Sequence, residues 1–198
     1  MVKEPIKEGI KFEMMSVSET READYYPGYQ VKLLGFLENT RVPFKMDITT
    51  GDSILPGVEK HKHKLMFEDK SIEIPAYPTE QIIAEKLSTT LSFGVDNSRA
   101  KDFYDLYTIP KLESIDWQSL YKSVRNTFTK RGNLEKMNIY YDHFMLSIAN
   151  STELKKRWER YQIDNPFAKN ISYAETIDSI KEILHGCIEQ EKIIDQQK

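Results

Sequence analysis

Up to residue 77 the chain tends to alternate apolar with polar residues. From Pro78 onward the apolar residues recur at helical spacing. Three early stretches, GIKFEMMSV, YQVKLLGFLEN and TRVPFKMDITTG, are rich in β-branched and aromatic residues and read as strands. Pro27-Gly28 marks a turn between the first two, and Glu38-Asn39 a hairpin turn between the second and third. KHKLMFED and KSIEIPAY read as two further short strands joined near Asp69-Lys70, with LPGVEKHKH as a loop.

In PTEQIIAEKLSTTLSF, Ile83, Leu87 and Leu91 fall at i, i+4 and i+8, one stripe of a helix. Pro78 suits its first turn, Glu80 its positive end and Gly94 its stop. Asn97 or Ser98 is placed to cap a second helix, SRAKDFYDLYTI, which Pro110 is expected to end. Further helices are expected in DWQSLYKSVRNTFTKR, LEKMNIYYDHFMLSIAN, STELKKRWERYQI and SYAETIDSIKEILHGCIEQEK, with Gly132-Asn133 and Asn165-Pro166 as breaks. The tail IIDQQK is expected to fray. Strands first and helices after predict an α+β protein, with a β-rich part over residues 1–77 and a helical lobe over 78–198.

Composition narrows the class. A chain of 198 residues suits one generous domain or two small lobes, and 39% hydrophobic residues suffice for a core. A formal charge of −3 excludes a polyanion binder that works by overall charge, so any such binding needs a local patch. The one cysteine, Cys187, excludes an internal disulfide and fits a reducing cytoplasm. Nothing around it suggests an activated thiol. No apolar run approaches the ~18 residues of a membrane span, and MVKEPIKEGIKF lacks a signal-peptide segment, so a soluble cytoplasmic protein is expected.

Two clusters carry candidate chemistry. In FKMDITTG, Phe44, Met46 and Ile48 alternate with Lys45, Asp47 and Thr49, which puts the two sets on opposite faces of a strand. Asp47 is either part of a solvated face or a Mg²⁺ ligand held on a rigid strand. A single carboxylate is a poor Mg²⁺ site, and no Asp-x-Asp precedes it; Glu22 and Asp24 have that spacing but sit in a turn-rich stretch. The second cluster joins Lys86, mid-helix in AEKL, with SRAKDFYDLY. There Asp102 and Asp105 stand three apart on one helical face, opposite a stripe of Phe103, Leu106 and Tyr107. Arg99 precedes Asp102 by three and Lys101 precedes Asp105 by four. This pattern is either a helix with two internal ion pairs or a site where cations hold phosphates and an Asp accepts a proton.

KMDITTGD, YPTEQIIAEKL and NSRAKDFYDLY, in this order and spacing, resemble the AbiEii/AbiGii family of nucleotidyltransferase-like toxins of toxin–antitoxin and phage-abortive-infection systems. The resemblance runs from about residue 9 to 110 and, more weakly, through the helical remainder. It implies a partial polymerase-β-type nucleotidyltransferase sheet followed by a C-terminal helical lobe. It implies Mg²⁺ and NTP as cofactors, tRNA as an acceptor and a cognate antitoxin as partner. Asp47 resembles the later strand carboxylate of the metal site, and Lys86 the lysine facing the nucleotide phosphates. Asp102 or Asp105 resembles the general base of a K-D-x-x-D motif, with Arg99 and Lys101 helping to neutralise phosphate.

The family's Gly-Ser turn and Asp-x-Asp are expected upstream of KEGIKFEMM, and the sequence has no Gly-Ser pair. The chain is therefore expected to be a shortened form, through truncation, a late-assigned start or gene decay, and its activity as it stands is left open. The alternative is a non-catalytic remnant that binds protein or RNA. An unpaired strand edge left by the loss would favour homo-oligomers.

Weaker signals remain. His61-Lys62-His63 could ligate a metal or be a solvated loop. Lys122, Arg125, Lys130 and Arg131, with Lys155, Lys156, Arg157 and Arg160 around Trp158, either contact RNA phosphates or form solvated helix faces over a core tryptophan. Tyr25-Tyr26, Tyr140-Tyr141, Tyr104 and Tyr107 read as core or interface aromatics.

Overall fold

The computed structural model describes residues 10–20, 28–51, 53–132 and 141–197, with only the backbone of 141–144. Glu22, Asp24, Tyr25-Tyr26, the Pro27 side of the first turn, Tyr140 and the start of the fourth expected helix lie outside the described residues. The chain forms two compact units, Met1–Asp52 and Ser53–Lys198. Small antiparallel sheets come first and helices after, the α+β order expected from the pattern.

The first unit is a three-stranded antiparallel meander in the order β1 (Lys11–Glu19), β2 (Gly28–Leu37), β3 (Thr40–Thr49). The β2–β3 turn is Glu38-Asn39, as expected, with Glu38 at φ 50. Register follows the apolar alternation. Met14 pairs with Leu33, which pairs with Phe44; Val17 pairs with Val31, which pairs with Met46. A bulge between Met14 and Ser16 returns Val17 to the face shared by Phe12 and Met14. The opposite face is polar at one end, where Gln30 pairs with Asp47 and Lys32 with Lys45, and carries Leu34, Phe36 and Pro43 at the other.

The second unit opens with the hairpin β4 (Glu59–Lys64) and β5 (Ser71–Ala76). This corrects the expectation of a strand in KHKLMFED and a loop through His63. EKHKHK is polar throughout, so it shows no apolar period, yet its backbone pairs along its whole length with β5. Leu65 to Lys70 form the turn, closed by Leu65 N donating to Lys70 O at 2.9 Å.

Six helices follow among the described residues: α1 (Thr79–Phe93), α2 (Ala100–Leu112), α3 (Trp117–Lys130), α4 (Tyr141–Ala149), α5 (Thr152–Asp164) and α6 (Tyr173–Gln196). Their ends follow local chemistry. Gly94 ends α1 at φ 54, a conformation glycine adopts without a Cβ penalty. Asp116 caps α3 by accepting from the N–H groups of Gln118 and Ser119, Ser151 caps α5, and Ser172 with Glu175 forms a capping box on α6. Asn97, an expected cap, accepts from Arg99 N at 2.8 Å, one residue ahead of α2. Residues Ile193–Gln196 stay helical rather than fraying, and Ile194 packs on the core.

The expected stop at Pro110 is also corrected: α2 runs through it to Leu112. Proline has no N–H for the Leu106 carbonyl. That carbonyl instead accepts from the Ser179 hydroxyl of α6 at 3.0 Å, so the helix loses no partner there.

Ile83, Leu87 and Leu91 are buried, as their spacing predicts. They join Phe103 and Leu106 of α2, Leu120, Val124 and Phe128 of α3, and Ile177, Ile180, Ile183 and Leu184 of α6 in one cluster. Each such side chain contributes roughly 1.5–3 kcal/mol on burial, several times a surface ion pair. This packing, rather than charge pairing, holds α1, α2, α3 and α6 together and sets the facing surfaces of α1 and α2.

Candidate active site

Lys86 lies beside the buried stripe of α1 and reaches α2. Its Nζ donates to Asp102 Oδ1 at 3.1 Å and lies 2.5 Å from Asp105 Oδ2. All three side chains are mostly buried. Burial opposes the charge on Lys86, but hydrogen bonds and attraction from Asp105 and Asp102 outweigh it, and its pKa stands above the ordinary 10.5. Lys86 is thus a fixed ammonium, unsuited to taking a proton, while the two carboxylates retain acceptor capacity beside it.

The structure brings together Lys86, Asp102 and Asp105, but not as two ion pairs within α2. Arg99 precedes the helix with non-helical backbone (φ −96, ψ 74), so helical i, i+3 spacing does not apply to Arg99 and Asp102. Asp102 and Asp105 turn instead to the cation across the helix interface, where lower exposure strengthens the attraction.

Arg99 and Lys101 line a cavity of about 470 Å³ at the N-terminus of α2, together with Asp102 and, from α5, Arg157, Arg160, Tyr161 and Asp164. Arg157 ties α5 to the loop before α2: its Nη1 donates to the carbonyls of Asn97 (2.8 Å) and Asp96 (3.3 Å). Arg99, Lys101 and Arg160 are exposed. The described ion pairs include none of these three. Burial, and then the charge of Asp105, raise the pKa of Tyr161, whose ring stacks on Trp158 at 5.6 Å. Tyr161 and Asp164 are additions that motif reading missed. Their signal was present: 157, 160, 161 and 164 fall at i, i+3, i+4 and i+7, one face of α5.

The remaining basic residues divide. Trp158 is buried, and its Nε1 donates to Ile171 O at 3.0 Å, so it packs rather than stacks on a ligand. Arg131 pairs with Glu85 of α1, which also accepts from the buried Gln81 at 3.0 Å. Arg125 donates to the Tyr121 hydroxyl at 2.8 Å. Lys155 and Lys156 are exposed.

Asp47 sits on the polar face of β3, exposed, with Oδ1 accepting from Gln30 Nε2 at 3.0 Å. Among the described residues no group of three or more His, Cys, Asp or Glu side chains is placed to hold a metal ion. One carboxylate with an oxygen already bonded to an amide falls short of a Mg²⁺ shell, so the described residues do not by themselves fit that ion. Also among the described residues, no helix is long and apolar enough to cross a membrane.

A family model described as "Nucleotidyl transferase AbiEii toxin, Type IV TA system" matches residues 2–183. No curated protein and no solved structure gives a significant match.

Proposed function

Because the chain belongs to the AbiEii nucleotidyl transferase toxin family of Type IV toxin–antitoxin systems, we propose that it carries the site for moving a nucleotide from an NTP onto an acceptor such as tRNA, in the cytoplasm. The family assignment brings with it an antitoxin counterpart. The observation that supports the site is Lys86 held between Asp102 and Asp105 beside a cationic groove.

In this proposal the triphosphate lies at the N-terminus of α2. Arg99 and Lys101 supply positive charge there, and the helix dipole adds to it. The acceptor hydroxyl gives its proton to Asp102 or Asp105 as its oxygen attacks the α-phosphorus, and pyrophosphate leaves. Lys86 compensates the charge that gathers on the phosphoryl oxygens. By the resemblance, Asp47 is the proposed ligand for a divalent ion. It does not fill the shell alone, and the proton transfer and charge compensation belong to the chain's own side chains.

The test is transfer of label from α-phosphate-labelled NTPs to tRNA, tried with each nucleotide. The expected outcome is labelled tRNA, with Asp102→Asn or Asp105→Asn lowering the rate by about 10²–10⁴, the usual contribution of a general base. Asp47→Ala and Lys86→Met should also abolish transfer, with far-UV circular dichroism unchanged. Full transfer by both Asp→Asn variants, or none by the parent chain with any NTP, overturns the catalytic reading. A second reading, a non-catalytic module for a polyanionic partner, draws on the exposed Arg99, Lys101 and Arg160. It predicts tRNA retention that is lost on replacing these three and indifferent to the aspartates.

A further inference from the structure

Glu59–Lys64 is a strand, and that changes what its histidines can do. In a strand, residues two apart project from the same face. Glu59, His61 and His63 therefore share one face, and Lys60, Lys62 and Lys64 the other. The pairing extends the separation to β5. His61 stands opposite Ile74, His63 opposite Ile72 and Glu59 opposite Ala76, so β5 adds no charge to the histidine face. Glu73 lies on the other face, where it pairs with Lys60 at 3.6 Å. The segment EKHKHK is strongly cationic in composition, yet its lysines point away from the imidazoles.

Both imidazoles are exposed, and their ring centroids stand 6.5 Å apart. Two imidazoles on one tetrahedral ion, with bonds of about 2.0–2.1 Å, place their centroids roughly 5 Å apart. Closing that gap asks for side-chain rotation only, since the ladder sets both residues on one face and both rings are exposed. We propose that His61 and His63 chelate a divalent transition ion that favours imidazole, such as Zn²⁺. The pair is a two-donor site. The ion's remaining positions are filled by water or by a donor from another molecule. Mg²⁺, which takes oxygen ligands, is not a candidate here. The site is independent of the Lys86 cluster and of nucleotide chemistry.

Calorimetric titration of the full chain with ZnCl₂ near neutral pH tests it. The expected result is one site per chain, weakened at least tenfold by His61→Ala and by His63→Ala, and unchanged by His185→Ala. A register variant separates chelation from mere histidine content. His63→Ala combined with Lys62→His keeps two histidines but puts them on opposite faces, and should bind no better than His63→Ala alone. Zn²⁺ binding by that variant as tight as by the parent overturns the proposal. So does parent-like binding by His61→Ala or His63→Ala, or the absence of binding by the parent.

Discussion

At the residue scale, Lys86 shows how one side chain serves both stability and chemistry. Its ammonium lies between two carboxylates in a mostly buried position. Removing it leaves two like charges without their cation. Lys86→Met is expected to destabilise the fold by about 2–3 kcal/mol in urea unfolding, below the roughly 3–5 kcal/mol of a fully buried pair because the cluster keeps some solvent contact. The pH dependence follows from the raised pKa. Protonated Lys86 adds stability that is complete below the unfolded lysine value of about 10.4 and is lost as pH rises through the higher folded value. The parent should therefore lose stability above that point more steeply than Lys86→Met; equal slopes would contradict the assignment. These residues were legible in AEKL and KDFYD, but their partners were not. Spacing within α2 pointed to Arg99 and Lys101, whereas packing offered a cation from another helix.

At the element scale, helix boundaries followed local chemistry wherever a cap or glycine acted alone, as at Gly94, Asp116 and Ser172. They departed from it where a distant group compensated. Pro110 sits within α2 because Ser179 satisfies the Leu106 carbonyl. Ser179→Ala should cost about 1 kcal/mol, the usual net value of a hydrogen bond. In a Pro110→Ala background the cost should shrink, since alanine supplies its own N–H to that carbonyl. A double-mutant cycle measured by urea unfolding reads this coupling, and additive effects would contradict it. Strand β4 departed for a related reason. Its residues carry no apolar period, and only the ladder to β5 makes it a strand.

At the scale of the whole molecule, the buried apolar cluster among the described residues runs from Ile83 to Cys187, entirely within the second unit. That unit holds its own hairpin, its helices and the Lys86 site. A fragment of residues 53–198 is expected to melt cooperatively with a helical circular dichroism spectrum. A fragment with no cooperative transition would show that the second unit depends on the first. Family membership belongs to this scale as well, since the match covers residues 2–183 and spans both units.

The sequence by itself determined which residues lie together on a face. Period two separated Phe44, Met46 and Ile48 from Asp47, and helical period collected Ile83, Leu87 and Leu91. It also placed Arg157, Arg160, Tyr161 and Asp164 on one side of α5. Tertiary structure decided which faces meet. It set that side of α5 against the start of α2, turned Asp102 and Asp105 toward Lys86, and engaged Arg131 with Glu85. The reason is physical. Backbone geometry repeats over a few residues and writes its period into the chain locally. Which surfaces pack depends on the burial of side chains far apart in sequence, and no local period records that choice.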